Sequence, residues 1–90
     1  MLTANKYILH VCTFPEDVGG FSSFVMNLPG AFGMGDTEGE AFKSAIDGAM
    51  CCIDEYVKSG NPIPWRDECK IPRNGRVKIF KVYMPGRSGE

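Results

Sequence analysis

Four carboxylates in the middle of the chain are the first residues whose types and spacing could support chemistry: Asp36, Glu40, Asp47 and Asp54. Asp47 and Asp54 would lie two turns apart on one face of a helix. Together with the other two, they could hold the divalent cations of a metal-dependent nuclease. A solvated helix face that begins with capping residues explains the same side chains more simply, and we favour that interpretation.

His10 is the only histidine. A catalytic histidine needs a positioned partner and a zinc site needs three or four ligands, yet the sequence clusters no such set around it. No serine stands in a G-x-S-x-G motif. We therefore expect a structural or surface histidine, and a protein that is not an enzyme and needs neither a metal nor a cofactor.

The four cysteines could be paired in two disulfides, but their context argues against it. The first residues of the chain lack the charged and apolar regions of a signal peptide, and no stretch is apolar enough for a membrane span. In the cytoplasm, which is then the expected compartment, thiols stay reduced. Because two of the cysteines are adjacent and no C-x-x-C spacing occurs, we expect reduced structural residues at Cys12, Cys51, Cys52 and Cys69.

The totals describe one small globular domain rather than a nucleic-acid binder. The chain has 90 residues, 43% hydrophobic and 23% charged, which is an ordinary soluble composition. A net charge of −1 and an isoelectric point near 5.8 give no basic surface for nucleic acid or an anionic membrane. Nucleic-acid binding by this chain alone is therefore not expected.

A glycine cluster, Gly30-x-x-Gly33-x-Gly35, precedes the region where a helix is expected. It matches neither the Walker pattern nor G-x-G-x-x-G, and three carboxylates at the helix start would repel a phosphate. The glycines are better explained by tight turns or a close approach of two backbones.

The strongest secondary-structure signal is a long amphipathic helix that begins after Thr37. Thr37 and Glu40 have the spacing of a capping box, and Asp36 and Glu38 add negative charge near the positive end of the helix dipole. Gly60-Asn61-Pro62 ends the helix. Its apolar stripe consists of Phe42, Ala45, Ile46, Ala49, Met50, Ile53, Tyr56 and Val57. Its polar face consists of Lys43, Ser44, Asp47, Gly48, Cys51, Asp54, Glu55 and Lys58.

Three strands are predicted before this helix in the sequence, at 6–13, 21–27 and 31–35, and one after it, at 76–84. An irregular, proline-rich arm over 61–75 is long enough that we expect it to be held against the domain, and a frayed tail over 85–90 follows. The fold class is therefore α+β, in the order β-β-β-α-β. We expect a mostly antiparallel sheet of order 3-2-1-4, with the one long helix on one face.

Two further expectations concern the sheet. The handedness of crossover connections places the fourth strand beside the first and parallel to it. The strands also carry apolar residues on both faces, whereas one helix covers only one face. The second face should therefore be buried against another copy, in a homo-dimer or homo-tetramer, or against a partner protein.

Several short motifs together resemble the N-terminal domain of HicB antitoxins and their stand-alone HicB-like relatives. They occur in the family's order over about two thirds of the chain: Tyr7-Ile8, Gly19-Gly20-Phe21, Leu28-Pro29-Gly30, Gly35-Asp36-Thr37, Glu40-Ala41 and Ile63-Pro64. The chain departs from the family in having Ala31 where a cysteine is frequent, and Trp65-Arg66 where a second proline is expected. It also ends before any helix-turn-helix or ribbon-helix-helix.

The resemblance implies a partial ribonuclease-H-like fold and a role in a type II toxin–antitoxin system. HicB proteins bind and neutralise HicA, a small mRNA-cleaving toxin, and are not known for catalysis. The alternative is an orphan HicB-like homo-oligomer without a toxin partner. For a toxin contact we expect the acidic helix start and the polar helix face to be used, namely Asp36, Thr37, Glu38, Glu40, Asp47, Asp54 and Glu55.

Overall fold

The computed structural model describes residues 4–66 and 71–85. Cys69, part of the arm and residues 86–90 of the tail lie outside these ranges. The described residues form four strands and one helix in the order β-β-β-α-β: β1 Ala4–Pro15, β2 Phe21–Val25, β3 Phe32–Gly35, α1 Glu38–Ser59 and β4 Arg76–Pro85. The strands form one sheet of order β3-β2-β1-β4, which confirms the predicted α+β class and strand order.

The predicted direction of β4 is wrong, because β4 pairs with β1 in antiparallel fashion. The prediction assumed that β4 starts near the point where α1 ends. Instead, the residues on either side of the undescribed part of the arm lie at opposite ends of the sheet: Arg66 N donates to Asn27 O, whereas Arg76 lies opposite Thr13, close to the far end of β1. The ten residues from Arg66 to Arg76 can span roughly 33 Å when extended, which is long enough for this return.

The core lies between α1 and one face of the sheet. Alternate residues of β1 point towards the helix, as the period of two along a strand requires. The predicted apolar stripe of α1 supplies the other side, with Phe42, Ala45, Ala49 and Ile53 buried. The buried cluster comprises Leu9, Val11, Val25, Leu28, Ala31, Phe42, Ala45, Ala49 and Ile53.

The glycines of β3 allow α1 to approach the strand closely. A methyl group on Gly33 would lie 2.6 Å from Ser44 Oγ, and one on Gly35 would lie 2.8 Å from the backbone nitrogen of Ala41. Ser44 Oγ accepts a hydrogen bond from Met34 N, and Gly48 approaches the Phe32 carbonyl. The prediction that Ser44 and Gly48 belong to the polar outer face is therefore wrong, since both contact β3.

Both ends of α1 have the caps that the sequence predicts. Thr37 has extended backbone, and its hydroxyl accepts from Glu40 N, while Glu40 accepts from the backbone of the cap. At the other end Gly60 adopts φ = 79°, in the left-handed region that suits glycine. Within residues 4–66 and 71–85, no helix combines the length and apolar content of a membrane span.

The first part of the arm is held against the sheet where β2 ends. The Trp65 ring stacks on Tyr7 with a centroid distance of 6.1 Å, and Arg66 Nε donates to Met26 O. Asn27 extends the ladder beyond β2, since its side chain accepts from His10 N and donates to Ile8 O. The expectation that the arm is held in place is confirmed for these described residues.

Candidate interaction surfaces

The acidic helix start is occupied largely by its own hydrogen bonds. Glu40 Oε1 accepts from Asp36 N at 2.9 Å and from Thr37 N at 3.3 Å, and Thr37 Oγ1 accepts from Glu40 N at 3.1 Å. These bonds satisfy backbone donors that a helix start leaves unpaired. Two of the seven predicted contact residues, Thr37 and Glu40, are therefore capping residues in this structure.

Glu38 joins the helix start to the sheet. Its Oε2 accepts from the buried Thr13 hydroxyl at 3.3 Å and lies 3.6 Å from Arg76 Nε. Both contacts bind the carboxylate to residues far away in the sequence, one on β1 and one on β4. Glu38 is thus placed as a structural group rather than as a freely available contact.

Of the remaining predicted contact residues, Asp47, Asp54 and Glu55 lie on α1, and Asp36 directly precedes its N-cap. Asp54 pairs with Lys58, one turn further on, at 3.0 Å. Asp36, Asp47 and Glu55 are exposed, and their carboxylates form no hydrogen bond or ion pair with any residue in the described ranges. These three side chains are the part of the predicted set that is available to a partner.

The face of the sheet opposite α1 is apolar and exposed. Phe32, Phe24, Cys12 and Val77 lie opposite one another across all four strands. The most exposed large apolar side chains of this face lie on the two edge strands: Phe32 and Met34 on β3 at 68% each, and Ile79 and Tyr83 on β4 at 62% each. No described element covers these four side chains. An exposed patch of this kind is typical of an interaction surface.

Among the described residues, the end of the arm covers the middle of this face. A methyl group on Gly75 would lie 3.0 Å from Cys12 Sγ and 2.9 Å from Ile71 Cγ2, so residues 71–75 cross the sheet beside the thiol. Cys12 is fully buried, and this burial raises the pKa of its thiol. The described cysteines are all free, with Cys51 exposed and Cys52 half-buried.

A groove of about 810 Å³ lies beside the first half of β1, along the edge that extends beyond the end of β2. Lys6, His10, Asn27, Trp65 and Arg66 are among its lining residues, and no lining residue is acidic. This groove could not be predicted from the sequence, because nothing in the local pattern shows that Arg66 returns to the end of β2.

The four carboxylates that could suggest a nuclease, Asp36, Glu40, Asp47 and Asp54, do not form a metal-binding cluster. In residues 4–66 and 71–85, no group of three or more His, Cys, Asp or Glu side chains has an arrangement that could hold a metal ion. Comparison with known proteins adds no assignment: no family model, curated protein or solved structure matches the chain.

Proposed function

We propose that the chain is a HicB-like antitoxin of a type II toxin–antitoxin system. In this proposal it neutralises a HicA-type mRNA-cleaving toxin in the cytoplasm by protein–protein binding, without catalysis and without a cofactor. The family is inferred from the resemblance of the motifs between Tyr7 and Pro64. The structure leaves two surfaces exposed, the acidic side of α1 and the apolar face of the sheet.

The observation that carries the proposal is the set of unpaired carboxylates on the helix side of the domain. Asp36, Asp47 and Glu55 are exposed, and α1 extends over about 33 Å at the usual rise per residue. A toxin that binds RNA needs a basic groove. An acidic surface of this length would attract that groove, speed association and keep RNA out of it.

The other four predicted contact residues either stabilise the helix or add a charge that is already paired. Thr37 and Glu40 fix the helix start, and Glu38 holds that start to β1 and β4. Asp54 can contribute charge only by sharing it with Lys58. A substitution at any of these four positions is expected to alter folding as well as binding.

An RNA-cleavage assay tests the proposal with charge variants of α1. The antitoxin function predicts a gene for a small basic protein beside this one. That protein should cleave mRNA, and the purified chain should stop the cleavage at equimolar amounts. Asp47→Lys and Glu55→Lys should weaken inhibition, whereas Lys43→Gln, which changes an exposed charge on the same helix, should leave inhibition intact. Cleavage that continues in an excess of the folded wild-type chain would contradict the antitoxin function.

A second candidate function rests on the opposite surface. The exposed apolar residues Phe32, Met34, Ile79 and Tyr83 favour a homo-oligomeric HicB-like module, dimeric or tetrameric, that has no toxin partner. The two functions use different faces of the domain. A stable oligomer that neither binds nor inhibits a basic neighbour would favour this second candidate.

A further inference from the structure

One edge of β1 has no neighbouring strand over its first half among the described residues. β2 pairs with β1 only over residues 11–15 of that strand, whereas β4 pairs with the other edge over residues 4–13. The end of the arm crosses the sheet beside Cys12, which belongs to the stretch that β2 pairs. The unpaired edge therefore begins where β2 ends and runs towards the start of β1.

The even-numbered residues of β1 direct their backbone groups towards this edge. His10 O accepts from Met26 N at 2.7 Å. The side chain of Asn27 accepts from His10 N at 3.0 Å and donates to Ile8 O at 2.9 Å. Since the direction of these groups alternates along a strand, the N–H of Ile8 and both backbone groups of Lys6 point to the same edge. None of these three groups forms a hydrogen bond with a described residue, so they are available to the ladder of an added strand.

The side chains beside this edge are basic on the uncovered face of the sheet. Leu9 is buried beneath α1, so Lys6, at an odd spacing from it, points to the uncovered face. Lys81 shares that face, because it lies opposite Ile8 on β4. Both lysines are exposed, and neither forms an ion pair with a described residue. Among the described residues, none that lines the adjoining groove is acidic, and Arg66 adds a further cation there.

The face towards α1 offers an aromatic surface at the same edge. Tyr7 packs against the core, and the Trp65 ring stacks on it with a centroid distance of 6.1 Å. Trp65 is nevertheless 40% exposed. A strand added beside β1 would therefore meet cations on one face of the sheet and an aromatic pair on the other.

We propose that this edge binds an extended acidic segment of a partner protein, which adds a strand antiparallel to β1. The residue opposite Lys6 exchanges two hydrogen bonds with it, and its side chain lies on the uncovered face. A carboxylate at that position pairs with Lys6, and a second one, two residues along, faces Lys81 across Ile8. The residue between them contacts Tyr7 and Trp65. The preferred segment thus alternates acidic and apolar residues, with main-chain bonds for affinity and side chains for specificity.

Charge argues against a second copy of this edge as the occupant. Two copies would bring their Lys6 side chains close together, and a basic residue on an edge strand is a usual means of preventing such pairing. An acidic segment turns the same charge into an attraction. The proposal goes beyond both functions proposed above, since it uses neither the carboxylates of α1 nor the apolar residues of β3. Its failure would leave both of those functions unchanged.

Fluorescence anisotropy with a synthetic peptide tests the proposal on the full chain. The probe is a labelled seven-residue peptide that alternates glutamate and valine. It should bind the wild type saturably, and Lys6→Glu should raise the dissociation constant at least about tenfold, since it places like charges opposite each other. Lys43→Glu makes the same change of charge at an exposed position on α1 and should leave the constant unchanged.

Methylation of the peptide nitrogens separates strand addition from attraction by charge alone. In the proposed register the glutamate nitrogens face β1, whereas the valine nitrogens face away from it. Methylation of the glutamate nitrogens should therefore abolish binding, and methylation of the valine nitrogens should preserve it. Hydrogen exchange at the amides of Lys6 and Ile8 should also slow when the unmodified peptide binds.

Three results would overturn the proposal. The first is a folded wild type that does not bind the glutamate–valine peptide. The second is equal binding of the two methylated peptides, which would reduce the edge to a general site for anions. The third is a single-stranded oligonucleotide that displaces the peptide and binds more tightly, which would assign the groove to nucleic acid instead.

Discussion

Glu38 Oε2 lies 3.6 Å from Nε of Arg76 and also accepts a hydrogen bond from the Thr13 hydroxyl. One carboxylate thus joins the first turn of α1 to the end of β1 and to the beginning of β4. The contact requires β4 to start at this end of the sheet, which is where its antiparallel direction places it. Glu38 therefore helps to fix the antiparallel direction of β4, which differs from the parallel direction that crossover handedness predicts.

Removing this carboxylate should cost more stability than removing an exposed one. Glu38→Ala leaves the buried Thr13 hydroxyl without its acceptor, so we expect a loss of about 1–3 kcal/mol in the free energy of unfolding. Asp54→Ala, which removes only an exposed pair within the helix, should cost about 0.3–0.5 kcal/mol. Urea unfolding monitored by circular dichroism measures both. Equal losses in the two variants would contradict the role given to Glu38.

The helix cap should contribute a measurable part of the stability. Thr37→Ala removes the acceptor for Glu40 N and should lower the free energy of unfolding by about 1 kcal/mol. Thr37→Ser keeps the hydroxyl and serves as the matched control, with a change of a few tenths of a kcal/mol at most. A Thr37→Ala variant as stable as the wild type in chemical denaturation would show that the cap is unimportant.

The close packing of α1 on β3 should make Gly33 intolerant of a side chain. A methyl group there would overlap the backbone of α1, so Gly33→Ala should destabilise the domain by about 1–3 kcal/mol. Gly39 has no neighbouring atom within 4 Å of its added methyl group and lies in the first turn of α1. Gly39→Ala should be neutral or stabilising by up to about 1 kcal/mol. The midpoint temperature of thermal unfolding should fall clearly in Gly33→Ala and should stay the same or rise in Gly39→Ala.

Cys12 and Cys51 should differ strongly in reactivity. Burial raises the pKa of the Cys12 thiol above its ordinary value of 9.0, so the native thiol stays neutral and inaccessible. A thiol reagent at pH 8 should therefore label the exposed Cys51 rapidly and Cys12 only after unfolding. Cys51→Ser should remove a fast phase that Cys12→Ala retains, and fast labelling of Cys12 in the native protein would contradict its burial.

The same thiol gives a pH dependence whose sign follows from the raised pKa. The Cys12 thiol ionises at a lower pH in the unfolded chain than in the folded chain. Its contribution to stability is therefore complete below about pH 9. It is lost as the pH rises through the folded-state pKa. Unfolding free energies measured between pH 8 and pH 10.5 should fall more in the wild type than in Cys12→Ala. A parallel decline in both proteins would assign the loss to other groups.

The sequence predicted the local features of the fold better than the contacts between distant segments. The capping box, the apolar stripe and the glycine at the end of α1 depend on spacings of a few residues. The direction of β4 and the pairing of Glu38 with Arg76 depend on the path of the arm, for which the sequence has no periodic signal. The assignment of Ser44 to the outer face failed because polarity alone does not show that Gly33 admits the helix so closely.

For the candidate surfaces too, the sequence predicts what depends on local pattern and not what depends on contacts between distant segments. That one face of the sheet needs a cover follows from the apolar residues on both sides of the strands, and the structure leaves Phe32 and Ile79 exposed there. Which carboxylates are available to a partner could not be predicted, because helix spacing does not distinguish Asp47 from Glu38. Only the folded chain brings Thr13 and Arg76 to the latter.

If this chain acts by binding other proteins, its association in solution should be detectable both alone and with a partner. Size-exclusion chromatography with mass detection should be run on the purified chain alone and mixed with any small basic protein that is encoded beside it. We predict an oligomer alone, and in the mixture a stable complex in which RNA cleavage by the basic protein is absent. A monomer that forms no complex and leaves RNA cleavage unchanged would contradict both proposed functions.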